Sequence, residues 1–151
     1  MSHARQQIRD AVAAAVTGLA TTGSSVHKTR MFKFEDDDLP ALGVYTLSED
    51  IERDTMKSSR QRRMLRVAVQ IAVKQVSAVD DAIDDIAVEV EEALETAHAG
   101  RSGVWGKILD FALDSATITM SGDGDTRALG MVLAYTAVYR TVEGAPETII
   151  D

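Results

Sequence analysis

There is no cysteine among the 151 residues. A disulfide framework and a thiolate metal site are both excluded, so the fold must rest on its core, on partners, or on both. No uninterrupted apolar run approaches the ~20 residues needed to span a bilayer. The opening stretch sets Arg5, Arg9 and Asp10 among alanines. It lacks the ordered charged, apolar and cleavage regions of a secretion signal. A soluble, single-domain protein made in the cytoplasm, without membrane contact, is the expectation. Positive charge is scarce as well: 16 Lys and Arg stand against 24 Asp and Glu, a net charge of −8. Binding to phosphates draws on net positive surface, which argues against broad nucleic-acid affinity.

Catalytic patterns are missing too. His3, His27 and His98 share no metal-ligand spacing. There is no G-x-S-x-G, no P-loop and no G-x-G-x-x-G. Ser58 and Ser59 sit beside arginines rather than beside a base. "DGD" at 123–125 lacks the downstream ligands of a calcium loop and reads as a tight turn. "DDAIDD" at 80–85 puts Asp80 and Asp84 on one helix face and Asp81 and Asp85 on another, which suggests a divalent ion. A di-metal helix site needs Glu-x-x-His partners, and none follow. An acidic first turn explains the cluster better, each charge stabilising the helix N-terminus by roughly a few tenths of a kcal/mol. No catalytic residue, metal or cofactor is expected. The single tryptophan, Trp105, lies between glycines and reads as a core plug rather than an exposed anchor.

The apolar pattern is clearer. Ile8, Val12, Ala15 and Leu19 recur at three and four, predicting a helix over 3–20 with Ser2 as N-cap and Gly23 near its end. "VHKTRMFKF" (26–34) and "ALGVYTLS" (41–48) have strand character, separated by the polar "EDDDLP". From Leu65 to Val73 apolar and small or polar residues alternate strictly, the strongest strand signal in the chain. Residues 78–98 predict a second helix, with Ile83, Ile86, Val90 and Leu94 on its buried stripe and Ser77 with Asp80 at its start. That helix holds eight acidic residues and no Lys or Arg. Residues 111–121 and 128–141 predict a hairpin whose second strand is apolar on both faces and therefore central. The tail, 142–151, reads as loosely held. The expected fold is α+β, a mostly antiparallel four- to five-stranded sheet with two helices packed on one face.

One stretch resists this pattern. In "RDTMKSSRQRRMLR" (53–66), Arg53, Lys57, Arg60, Arg62, Arg63 and Arg66 crowd six of the sixteen bases into fourteen residues. No periodicity is evident over 49–61, so a flexible basic loop at about 49–63 is expected. Three arrangements are open to it: solvated, folded over the acidic helix, or set against another copy. Unlike patches on different edges favour head-to-tail contacts, which close into a ring when the rotation per subunit is right.

The order of segments carries a resemblance. It runs from "RQQIRDAVAAAVTGL" through "TGSSVHKTR", "LPALGVYTLSEDIE", "LRVAVQIAVK" and "VDDAIDDIAVEVEEAL" to "GMVLAYTAVYRT". Read end to end, the chain resembles the tail terminator (tail completion) proteins of long-tailed bacteriophages, the lambda minor tail protein U-like family. The resemblance implies a structural virion protein at the head-proximal end of the tail. It implies a homo-oligomeric ring, a hexamer, seated on the tail tube protein, which stops tube polymerisation and offers the surface that joins the head–tail connector. DNA would pass through the lumen without sequence-specific binding, and a net acidic ring would repel it from the walls. The candidate ring or tube contacts are then Arg53, Lys57, Arg60, Arg62 and Arg63, with Asp36, Asp37, Asp38, Asp84, Asp85, Glu91 and Glu92. The alternatives are another head–tail joining or neck protein, a small divalent-metal-dependent enzyme using residues 80–85, and a small-ligand binding module.

Overall fold

The computed structural model describes residues 2–28, 39–74, 79–121 and 128–150. Two α-helices pack on a six-stranded, mostly antiparallel sheet. The elements are α1 (Ala4–Ala15), β1 (Val26–His27), β2 (Ala41–Arg53), β3 (Arg60–Lys74), α2 (Val79–Gly100), a 3-10 turn (Gly103–Lys107), β4 (Asp110–Ser121), β5 (Ala128–Val142) and β6 (Ala145–Ile150). The sheet order is β1-β2-β3-β5-β4, and β6 takes the end of β5 that β4 leaves uncovered. Only β1 is parallel to its neighbour, β2. The α+β architecture is the expected one, with more strands than the sequence suggested.

β3 and β5 run together over their full lengths, from Arg60↔Val142 to Lys74↔Ala128. The alternation explains which way each side chain turns. Leu65, Val67, Val69, Ile71 and Val73 face the helices, opposite Leu129, Met131, Leu133, Tyr135 and Ala137 of β5. Ile8 and Val12 of α1 and Ile83, Ile86, Val90 and Leu94 of α2 close the same core. Burying each such side chain contributes about 1.5–3 kcal/mol. The opposite face of the sheet is small and polar at its centre, with Ala68, Ala72 and Ala134 sunk in the pleat. None of those three alanines joins the helix-side core cluster.

Four expectations need correction. First, α1 ends at Ala15, and its N-cap is His3 rather than Ser2, with the Arg5 amide donating to His3 Nδ1 at 3.1 Å. Val16 completes the buried stripe, and Ala15 and Leu19 only flank the core. Second, the strand expected over 26–34 is just Val26–His27 among the described residues, and 29–34 lie outside them. Third, of residues 49–63 only 54–59 connect strands as a loop. β2 runs on to Arg53 and β3 begins at Arg60, in register from Arg53↔Gln61 to Asp50↔Met64. The strand signal is hidden there because one face of the hairpin is lined by polar groups instead of apolar ones. Fourth, the tail is tied down. Gly144, with φ of +80°, turns the chain after β5, and Ile149 docks in the core. Gln7 Nε2 donates to the Glu147 carbonyl at 2.7 Å. Gly144 sits at the turn and Pro146 near the start of β6, positions where each is tolerated.

Trp105 is buried, edge-on to Phe111 at 5.0 Å, and Phe111 stacks on Tyr135 at 4.8 Å. The core-plug reading holds. No helix among the described residues is long and apolar enough to cross a membrane.

Candidate assembly surfaces

The basic segment is split by the pleat of its hairpin. Odd positions of β3 turn toward the helices and even positions turn away. Arg63 continues the inward phase of Leu65 and Val67 past the end of the apolar core. It is one of three buried polar residues among those described. Its guanidinium is fully engaged: Nη1 donates to Glu49 Oε1 at 2.8 Å, Nε to Thr141 Oγ1 at 2.8 Å, and Nη2 to Gln61 Oε1 at 3.0 Å. Tyr139 donates its hydroxyl to Glu49 Oε2, and Arg5 stands 3.7 Å from Oε1. The Glu49 side chain is 3% exposed and that of Arg63 is 9% exposed. A buried charge is tolerable only when paired and hydrogen-bonded, and both conditions are met here. Burial, reinforced by the bond to Glu49, holds the Tyr139 phenol well above its ordinary range. Arg63 is therefore removed from the list of surface contacts. It serves as an internal brace, because its side of the strand faces inward.

The even side is different. Arg60, Arg62 and Arg66 are exposed, as is Lys57 at the hairpin tip. Arg62 lies between Glu52 of β2 and Arg140 of β5 across the ladder. Arg140 reaches Asp54 at 3.1 Å, and the exposed Arg53 is held by Glu143 at 2.7 Å. Backbone pairing, together with interleaved Asp50, Glu52 and Asp54, relieves the mutual repulsion that the bare sequence implied.

Of the acidic candidates, Asp84, Asp85, Glu91 and Glu92 are all exposed on α2. Among the described residues no ion pair joins α2 to the segment 53–66, so that segment is not folded over the acidic helix. β3 spans roughly 50 Å from Arg60 to Lys74, and α2 starts near its far end. The exposed arginines and the carboxylates at 84–85 thus belong to opposite ends of the sheet. Asp36, Asp37 and Asp38 lie outside the described residues. Among the described residues no group of three or more His, Asp or Glu side chains is arranged to hold a metal ion.

The sequence reading missed Glu49, Gln61, Tyr139 and Thr141. A usable signal was present: Gln61 and Arg63 keep the inward phase of β3, and Glu49 keeps the corresponding phase of β2. Next to this brace, a trough of about 390 Å³ lies between α1 and β2, lined by Arg5, Arg9, Leu47, Ser48 and Glu49 among others.

With this geometry established, three comparisons bear on the chain. A family model described as phage minor tail protein U matches residues 3–105, more than half of the chain. A chain from the virion of a native gene transfer agent particle is similar at 13% identity, covering 90% of this chain and 92% of that chain, with a TM-score of 0.38. No curated protein matches this sequence.

Proposed function

This chain belongs to the phage minor tail protein U family, a structural component of the phage tail, and we propose that it forms the ring that ends the tail tube. Copies associate head to tail, the ring has six members, and its two faces meet the last tube ring and the head–tail connector. DNA passes through the lumen without base contacts. The protein works as a geometric part and performs no reaction. The observation that carries this reading is the separation of unlike charges on one rigid sandwich. Exposed arginines cluster at the β2–β3 hairpin, and exposed carboxylates line α2, with no ion pair between them among the described residues. Separate patches of unlike charge are complementary between molecules, and non-identical patches give heterologous contacts, which close as rings when the rotation per subunit is right. Lys57, Arg60 and Arg62, with Asp84, Asp85, Glu91 and Glu92, are the contacts proposed for ring and tube. Arg53 contributes at the rim through its pair with Glu143. The net charge of −8 suits a lumen that repels phosphates.

Imaging purified protein mixed with tail tubes tests this. Caps at one tube end and a halt in tube growth are expected. Reversing Lys57, Arg60 and Arg62 to Glu should abolish capping while circular dichroism stays unchanged. Raised salt should weaken it, since exposed charges are screened beyond ~10 Å at 0.1 M. Binding to the connector without any tube capping would overturn the reading in favour of a neck protein.

A further inference from the structure

The sheet ends in two strands of opposite character, and they suit each other. β4 is an edge strand paired only with β5 among the described residues. From Ala112 to Thr119 every residue is exposed, so both of its faces lie open beyond Phe111. The strand "DFALDSATITMS" contains no Lys, Arg or Pro. Asp114 and the bulge beside it guard the edge at Leu113–Ser115, but Ala116 to Thr119 carry no charge, proline or bulge, and an unguarded stretch of edge invites another strand. At the other end of the sheet, β1 covers β2 only at Leu42 and Gly43.

Exposed apolar side chains gather on these two strands. Of seven large ones among the described residues, Leu47 and Ile51 lie in β2, and Leu113 and Ile118 lie in β4. By register Ile51 pairs with inward-facing Arg63, Leu113 with Tyr135 and Ile118 with Met131. All three therefore sit on the helix-side face, where an added strand would prolong the apolar layer. On the other face β4 contributes only negative charge. Asp110 is opposite Val138, and Asp114, at the β4 bulge, accepts from Thr136. That is the face on which β3 exposes Arg62 and Arg66, which would stand two strand spacings, ~10 Å, from an incoming β4.

We propose that β4 of one copy adds to the edge of β2 that no strand covers among the described residues, along Leu47–Arg53, of the next copy, so that the sheet continues from subunit to subunit. This rests on the ring reading above. Two different edges of one sheet make a heterologous contact, whereas β4 against β4 would close as a dimer. Main-chain hydrogen bonds supply the affinity and the flanking side chains the selectivity.

The absence of cysteine makes the test clean. Ile51→Cys and Ile118→Cys are introduced separately and together, with Met56→Cys at the 94% exposed hairpin tip as control. Protein is assembled on tail tubes and treated with a short bis-maleimide. Mixed single variants should give a cross-linked pair, and the double variant a ladder ending at the ring. Each single variant alone, the tip control included, should stay uncoupled. Coupling of Ile118→Cys with itself, or no coupling between positions 51 and 118, overturns the proposal. If tubes are capped but 51 and 118 do not couple, the edge pairing fails and the ring survives. If the ladder forms and no tube is capped, the pairing stands and the terminating role fails. As a second variant, Ile118→Lys should weaken self-association at least tenfold with unchanged circular dichroism, and undiminished association would also overturn the pairing.

Discussion

Arg62 and Arg63 are consecutive residues with the same charge and opposite surroundings. Arg62 stands in solvent on the helix-free face of the hairpin, and Arg63 is buried on the helix-side face with all three of its nitrogen groups engaged. The difference shows that a run of like charge has no single role. A strand sends alternate members to different environments, and the pleat decides which become scaffold and which become contact. One face of the β2–β3 hairpin is thereby internally saturated, while the other has charge to spare.

Removing the brace should have the largest effect. Arg63→Ala leaves the Glu49 carboxylate buried beside Tyr139 with its main cation gone, a loss of about 3–5 kcal/mol. Denaturant unfolding followed by circular dichroism measures it. Arg62→Ala, one residue away, should change stability by less than ~0.5 kcal/mol. Equal effects would collapse the distinction between the two faces. Replacing Arg63 and Glu49 together with Met and Leu should recover most of the loss, because an apolar pair of similar volume removes the stranded charge.

A smaller break is Tyr139→Phe. It keeps the ring and deletes the hydroxyl that Glu49 accepts from. Leaving a carboxylate short of one donor costs about 1–3 kcal/mol. Self-association should be untouched, since Tyr139 is fully buried. The reverse profile is expected of Arg62→Glu, with a thermal midpoint within a few degrees of the parent and tube capping lost. If Arg62→Glu destabilised the monomer as much as Tyr139→Phe, the outer face would be part of the scaffold after all.

The contrast between the faces also explains what could be read from the residues alone. Leu65 to Val73 announced β3 because one side met the core and the other did not, a period that apolar residues record directly. The Ile83–Ile86–Val90–Leu94 stripe announced α2 in the same way. The strand ends at 49–53 and 60–63 were illegible because their helix-side positions are Glu49, Arg53, Gln61 and Arg63, with Ile51 the one apolar residue among them. Apolar periodicity cannot register a face that is closed by hydrogen bonds. β6 was hidden for a related reason: one docked residue, Ile149, and one turn glycine do most of its fixing. Assembly surfaces were legible only as charge totals. The neighbours that cancel those charges, such as Glu143 against Arg53, lie ninety positions away.

The finest probe of the braced face is pH. His3 caps α1 by accepting a hydrogen bond at Nδ1, which a protonated ring cannot do. Partial burial, and next the Arg5 charge, lower its pKa from the ordinary 6.5. Glu49 and Glu147 oppose that shift, and Arg63 adds to it. In the unfolded chain the histidine takes up its proton sooner as the solution is acidified. Stability from the neutral cap is therefore complete above 6.5 and is lost as pH falls through the lower folded value. Thermal unfolding from about pH 8 to about pH 5 should show a small decline that His3→Ser, a cap that does not titrate, abolishes. The decline should deepen in an Arg63→Met, Glu49→Leu background, because Glu49, which raises the histidine's pKa, outweighs Arg63, which lowers it, and burial and Arg5 then act with less opposition. An unchanged slope in that background would separate the cap from the brace and leave the inward face as two independent devices.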